Sequence, residues 1–294
     1  HIKISYDDEE NNLTAALLTE DEQVINAGVP AYTRALEGSI SKTLNADTKM
    51  PVQVSLVSTK FAHDTKSKTA GVRSHIDLGI SRELNIEYPK ITPRASVAIT
   101  NYSLKNNPNI NRTILGSGLD VDFTINIPTS MFGYQANHRI TPLISYNYRA
   151  KKVQGNIPIF DTEDKYADII TFADLTSGER YTGLDRITNA NDVTLSLESS
   201  YRALNAIDDD KDLLNMRIAQ SFYTDDEVVS ATASNNYETR KSYSDIAASI
   251  DIALGKYVIS SSAQYNPSTS KIVKKENSLT YTSNSRKFIT LSVS

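Results

Sequence analysis

A period of two constrains this chain more than any other feature. Leu119, Val121, Phe123, Ile125 and Ile127 interleave with Asp120, Asp122, Thr124 and Asn126, an unbroken alternation. A helix turns about 100° per residue and would mix those aspartates with the apolar side chains; a strand sends alternate residues to opposite faces. Residues 72–84, 91–99, 140–148, 193–201, 214–222, 246–254 and 289–293 read the same way. We count roughly fourteen such runs, many about nine residues or longer, the length a tilted strand needs to cross a bilayer. Strands of soluble proteins are shorter, about five or six residues. Polar connections at 7–12, 63–69, 105–111, 206–212 and 235–240 separate the runs. The expectation is an all-β chain, an antiparallel up-and-down sheet forming one domain over 1–294.

Alternation alone does not say which face meets which solvent. In a soluble sandwich the apolar parity packs on a second sheet, and in a membrane barrel it meets lipid while the polar parity lines a wet lumen. Many long antiparallel strands in one sheet leave edges that need protection, and closure into a barrel removes them. Tyr146, Tyr148, Tyr201, Tyr223, Tyr257, Tyr265 and Tyr281 fall near strand ends, where interfacial rings sit, although the chain has no tryptophan. The mean hydropathy of −0.37 fits a barrel, since only every second strand residue has to be apolar. No apolar window is long enough for a transmembrane helix. The barrel reading is therefore preferred, as a large part of a transmembrane barrel, with a diffusion porin and a soluble β-rich surface or adhesin module as alternatives. It puts Glu37, Arg73, Asp77, Arg94, Asp120, Asp122, Arg139, Arg217 and Asp251 on the lumen side.

One stretch breaks the pattern. Residues 151–189 show no sustained alternation and contain Gly155, Pro158, Gly178 and Gly183. A structureless connection this long is normally either functional or wrongly assigned as a loop. Before it runs Thr141-Pro142-Leu143-Ile144-Ser145-Tyr146-Asn147-Tyr148. Within it lie Asn156-Ile157-Pro158-Ile159-Phe160-Asp161-Thr162 and Glu179-Arg180-Tyr181-Thr182-Gly183-Leu184-Asp185-Arg186-Ile187-Thr188-Asn189, continuing as Ala190-Asn191-Asp192-Val193-Thr194-Leu195. This order resembles the LptD family, the lipopolysaccharide-assembly barrels of the Gram-negative outer membrane. There a Pro-containing strand ending in two alternate tyrosines precedes a Pro-x-Phe-Asp segment and then an Arg-aromatic-hydroxyl-Gly-x-Asp-Arg-Ile stretch. Ala219-Gln220-Ser221-Phe222-Tyr223 resembles the family's next strand without its glycine. The likeness is densest over 114–225, extends by strand spacing from about residue 30, and beyond 225 is carried by periodicity alone.

The resemblance implies non-enzymatic insertion of lipopolysaccharide into the outer leaflet of the bacterial outer membrane. Implied partners are lipopolysaccharide, a lumenal plug lipoprotein like LptE, and a periplasmic lipopolysaccharide bridge reached through an amino-terminal domain with no counterpart here. The family's cysteines are absent, the end at Ser294 lacks the terminal aromatic residue, and family barrels have about twice the strands counted, so the chain reads as a central barrel fragment lacking the closing strands. Pro158, Phe160, Asp161, Gly183, Asp185, Arg186, Asn189 and Asn191 are the candidates for loop or plug contact. Arg186 is expected to pair with Asp161 or Asp185 and pin the loop inward, or else Gly183 makes a turn beside an ordinary ion pair.

Other chemistry finds little support. Without cysteine there are no disulfides, thiolate metal sites or cysteine nucleophiles. His1, His63, His75 and His138 lack metal-ligand spacing; His75 reads as a lumen-side residue and the others as turn residues. Asp208-Asp209-Asp210-Lys211-Asp212 lacks the glycine and terminal glutamate of a calcium loop and reads as a solvated turn. Asp120 and Asp122 share a strand face, which suits a wet wall better than acid–base work. Asn12-Leu13-Thr14, Asn101-Tyr102-Ser103 and Asn111-Arg112-Thr113 match glycosylation sequons, as expected by chance in such a chain. With a net charge of −4 there is no basic footprint for nucleic acid, and no cofactor or catalytic motif is expected.

Overall fold

The computed structural model describes residues 2–20, 32–63, 65, 68–84, 86–204, 212–230, 241–284 and 287–293. The Asp208–Asp210 run, the 235–240 connection and His1 lie outside them. Fifteen strands follow one another: β1 (Ile2–Asp8), β2 (Leu13–Thr19), β3 (Thr33–Leu44), β4 (Val52–Ala62), β5 (Gly71–Ser81) and β6 (Lys90–Leu104). Then come β7 (Ile110–Asp122), β8 (Ile125–Met131), β9 (Tyr134–Arg149), β10 (Ala190–Ala203) and β11 (Asp212–Tyr223). β12 (Ile246–Leu254), β13 (Tyr257–Asn266), β14 (Lys271–Asn284) and β15 (Lys287–Val293) complete the set. Apart from β7 and β8, which both pair with β9, neighbours in sequence pair antiparallel in a single sheet, so the expected up-and-down meander is borne out. Among the described residues no pairing joins β1 to β15, leaving the sheet an open part of a barrel.

The run 119–127 is not one strand. It breaks at Phe123–Thr124, and its two halves, β7 and β8, both pair with β9 in one continuing register, Asp122 opposite Leu143 and Ile125 opposite Ile140. The cause is local. The Asp122 carboxylate accepts from the Thr124 amide at 2.7 Å and from its hydroxyl, a side-chain turn that competes with the ladder. Opposite the break, Pro142 has no N–H to donate, although its carbonyl still accepts from Phe123. The β8–β9 hairpin then closes through Phe132 and Gly133, both at positive φ, the type I′ geometry that matches strand twist.

The two faces are buried in an inverted sense. Ile99, Leu115 and Leu195 are 41%, 60% and 45% exposed, whereas their neighbours Thr100, Ile114 and Thr194 are at 0–3%. Ile144, Ile218 and Phe222 repeat the contrast against Ser145, Ala219 and Ser221. The apolar parity is therefore bare. Where the 150–189 connection lies across it, over the central strands, the largely polar parity is covered.

Six of the seven predicted interfacial tyrosines lie on the bare face. Tyr146 and Tyr148 stand near one rim; Tyr201, Tyr257 and Tyr281 stand near the other, with Tyr257 and Tyr281 rings 5.1 Å apart. Tyr265 joins the first group, while Tyr223, opposite Asp192, takes the covered parity. His138 is not in a turn: it sits inside β9, stacked on Tyr201 at 3.9 Å, with Nε2 2.8 Å from the Ser199 hydroxyl.

Candidate functional site

The connection after β9 is long but not structureless. It holds a single 3-10 turn, Lys165–Ala167, and a six-residue helix α1, Phe172–Ser177. Thr171 and Asp174 form a reciprocal capping box at the helix start, and Gly178 at φ +65° ends it in the left-handed conformation that glycine adopts at least cost. Leu175 of α1 packs with Ile170, Ala219 and Ala247, which docks the helix on β11 and β12. At the other end Ile157 and Phe160 pack with Phe61 and Tyr102, the Phe61 and Phe160 rings stacked at 4.4 Å. Two small apolar contacts thus fix the segment across the covered face.

Between them lies a buried ionic latch. Arg73, from β5 and 2% exposed, grips Asp161 through both guanidinium nitrogens at 2.6 and 2.8 Å. The same guanidinium reaches Asp185 at 2.8 Å. Asp185 is fully buried and also accepts from the amides of Phe160 (2.7 Å) and Asp161 (3.1 Å) and from the Tyr102 hydroxyl (3.1 Å). Gly183 makes this approach possible: its φ is +63°, and a Cβ there would overlap the Asp161 carboxylate. Arg112, equally buried, donates to Gln154, to the carbonyls of Leu184 and Asp185, and to the Thr100 hydroxyl.

Burial pushes the Asp185 carboxyl up, only partly offset by Arg73. For Asp161 burial acts in the same direction, but the bidentate Arg73 contact outweighs it and holds that carboxyl below the usual carboxylate range. The two aspartates therefore divide the roles of a shared cation.

A second connection, 224–230, closes over the segment. Arg180 is clamped between Asp164 and Glu227, each at 2.6 Å. The Tyr181 hydroxyl donates to the Val229 carbonyl at 2.9 Å. Asn189 exchanges hydrogen bonds with the Asp226 carbonyl and the Val228 amide.

The expected pairing of Arg186 is not what forms. Arg186 is 2% exposed and donates to the carbonyls of Ser230, Ile157 and its neighbour Asp185, while Arg73 takes the aspartates. With a strand guanidinium already between the two carboxylates, Arg186 turns to loop carbonyls instead. Phe160, Asp161, Gly183, Asp185, Arg186 and Asn189 come together here, with Pro158 half-buried beside Ile157. Asn191 does not join them: it takes the opposite parity, next to Tyr148, and bonds the Tyr146 hydroxyl and Asp225.

The strand register puts all nine of Glu37, Arg73, Asp77, Arg94, Asp120, Asp122, Arg139, Arg217 and Asp251 on the covered parity. Several link across strands: Arg94 to Asp120, Arg217 to Glu198 and Asp251, and Glu37 to Thr59. Among the described residues no group of three His, Cys, Asp or Glu side chains could hold a metal ion. Arg112, Gln154, Tyr102, Arg180 and Glu227 were not singled out from the sequence. A basic residue on the polar parity close to a strand end was a usable signal for Arg112; Gln154 and Glu227, in irregular chain, offered none.

Residues 2–293 match the model of the family described as LptD, LPS transport system D. An LPS-assembly protein LptD from Shewanella frigidimarina is 27% identical over 242 residues, 80% of this chain and 30% of that protein. One from Pseudoalteromonas atlantica is 26% identical over 229 residues (76% and 29%), and one from Neisseria meningitidis serogroup B 26% over 220 residues (73% and 26%). The chain thus spans 26–30% of the length of these relatives. With the family model matching nearly every residue, the chain belongs to the LptD family.

Proposed function

We propose that this chain is a wall of an outer-membrane barrel that delivers lipopolysaccharide to the outer leaflet without covalent chemistry. The inverted burial carries the reading. A sheet whose apolar parity is bare and whose polar parity is covered needs hydrocarbon outside and a polar interior. The dimensions agree. From Asn191, which faces Tyr148, to Tyr201 is ten residues along β10; at about 3.3 Å per residue and a tilt of about 40°, that spacing spans roughly 25 Å, the height of an outer-membrane apolar band. Tyrosines near both rims then sit at the two interfaces.

The connections set the orientation. One rim carries tight turns, such as those after β1, β8 and β12, while the other carries 20–32, 150–189 and 224–245. Barrels of this kind keep short turns on the periplasmic side and long loops outside. The latched segment therefore descends from the outer end into the lumen. Lipopolysaccharide needs both environments: its charged sugars follow the polar wall while its acyl chains stay in hydrocarbon. The chain acts as a single barrel domain and works with a plug lipoprotein and with a periplasmic lipopolysaccharide bridge that reaches it through a separate domain. Because Phe160, Asp161, Asp185, Arg186 and Asn189 are occupied within the chain, contact with the lipoprotein runs through exposed parts of the segment such as Glu179. A photo-crosslinker at 179 should capture the lipoprotein and one at 186 should not.

These 294 residues contain no cysteine, so an introduced one reports on its own position in this part of the wall. Single cysteines at 119, 120, 121 and 122 in the membrane-embedded protein should label alternately, the even positions with a water-soluble maleimide and the odd ones with a lipid-dissolved reagent. Uniform labelling by the water-soluble reagent would sink the membrane reading and return the chain to a soluble β-module.

A further inference from the structure

Beneath the latched segment, on the same face, lies an open cleft of about 430 Å³ bounded by β4 to β7, β9 and the Ser177–Glu179 turn. It runs on into an inner recess of about 110 Å³, the two sharing Asp77, Ser96, Gly116, Arg149 and Glu179. Thr188, 3% exposed, is among the residues that line the recess. We infer that this cleft is a binding site for a neutral, polyhydroxylated sugar unit. The inference rests on the proposed passage of lipopolysaccharide sugars along the polar wall.

Three features point to that chemistry. First, the volume is built in. Gly79 and Gly116 line the cleft, and a Cβ on Gly116 would come within 2.5 Å of the Ser96 hydroxyl, so ordinary strand side chains there would close it. Second, its cations are already held. Arg94 is fixed by Asp120 and Asn147, and Arg149 by the carbonyls of Gly178 and Thr188. Third, donors and acceptors are mixed. Three carboxylates (Asp77, Asp120 and Glu179) face Arg94 and Arg149 in the cleft, and Arg180 and Arg186 at the recess are bonded to Asp164, Glu227 and loop carbonyls. With each guanidinium already bonded within the chain, the lining suits hydroxyls, each of which both donates and accepts, better than phosphate. A site on a transit path must also release its cargo, so binding should be weak, with Kd about 1–10 mM.

Saturation-transfer NMR on the detergent-solubilised protein with its co-purified partners tests this, with maltotriose as the neutral probe and glucose 6-phosphate as the charged one. Maltotriose should give transfer, and glucose 6-phosphate should bind at least threefold more weakly. Gly79→Leu should fill the cleft and cut the maltotriose signal tenfold or more; its Cβ meets nothing closer than Gln53 at 3.7 Å, so the strand should accept it. If that variant fails to assemble, Gln53→Leu, exposed at the rim, should still weaken binding severalfold. No maltotriose transfer, an undiminished signal in the assembled variants, or a preference for the phosphorylated sugar would each overturn the inference. Lipopolysaccharide delivery by the unaltered protein is measured alongside: delivery without maltotriose binding removes the cleft alone, and loss of delivery itself removes the parent reading.

Discussion

Replacing Arg73 with leucine should release the segment while leaving the sheet intact. Arg73 is 2% exposed, grips Asp161 with two nitrogens and touches Asp185 with one, and its guanidinium carbon lies 4.9 Å from the centre of the Phe61 ring. The substitution strands two buried carboxylates, and Arg34, 3.4 Å from Asp161 and partly exposed, is a weak substitute for that one. Removing one partner of a buried pair costs about 3–5 kcal/mol. At about 1.4 kcal/mol per decade, opening of the segment should rise roughly 10²- to 10³-fold or more. Hydrogen exchange reads this directly. Amides donated to Asp185, those of Phe160 and Asp161, should lose that much protection, whereas β10 and β11 should change little. Arg217→Leu is the control, because Arg217 and its partners Glu198 and Asp251 are each about a third exposed, where an ion pair is worth about 0–1 kcal/mol. Adding Asp161→Leu and Asp185→Asn to Arg73→Leu should recover part of the protection by removing the stranded charges. Protection of Phe160 and Asp161 within threefold of wild type in Arg73→Leu would refute the latch; equal loss in segment and strands would show that Arg73 supports the whole sheet instead.

Three other perturbations test separate parts of the argument. Val121→Arg puts a cation on the bare face at about 2–4 kcal/mol if it lies near the bilayer midplane, so it should reduce folded barrel, seen as heat-modifiable mobility on gels, far more than Asp122→Arg; equal effects would reverse the faces. Gly183→Ala adds a Cβ at positive φ against Asp161 and should destabilise the segment by roughly 1–3 kcal/mol, read by proteolysis between 155 and 186, with unchanged cleavage counting against the tight turn. Acidification should act in two steps. Asp185, raised by burial, takes its proton first, and its neutral form remains compatible with the buried site. Asp161 is depressed, so its contribution is intact above the unfolded carboxylate value of about 3.9 and fades as pH falls through its lower folded value. Segment protection should therefore hold near pH 5 and fail only below about pH 4; loss between pH 5 and 6 would contradict the assignment.

The sheet was legible because its signal is local and repeated. Alternation at 72–80, 193–201 or 246–254 needs no partner to be read, and the register then keeps each polar residue on one face. The break at Phe123–Thr124 escaped because it depends on an Asp122 side-chain turn and on Pro142 in the facing strand, neither of which disturbs the alternation of 119–127. The segment was visible only as a gap in periodicity. Phe160, Asp161, Gly183, Asp185, Arg186 and Asn189 do meet, yet the sequence pairs Asp161 or Asp185 with Arg186, the arginine of the same stretch. The actual partner, Arg73, stands 88 and 112 residues away. Nothing in a strand's own pattern says which of its polar residues a distant loop will reach.

The chemistry of the latch also sets what opening of the segment would expose. Its apolar anchors are small: Phe61, Tyr102, Ile157 and Phe160 at one end, Ile170, Leu175, Ala219 and Ala247 at the other. Between them the buried groups are Arg73, Arg112, Gln154, Asp185 and Asn189. A segment held mainly by hydrophobic burial would expose sticky surface each time it lifted, at about 25 cal/mol per Å². One held by ion pairs and hydrogen bonds lifts into water that solvates both halves, so the open state is soluble and the closed state is specific. The two terms separate under salt. Raising ionic strength should leave the apolar anchors in place and the buried Arg73 contacts nearly unscreened, while speeding exchange once the segment is open and its charges are exposed. Segment opening in wild type should therefore depend only weakly on salt, and reclosing should slow as salt rises; a strong salt effect on opening would place the Arg73 contacts in water rather than beneath the segment.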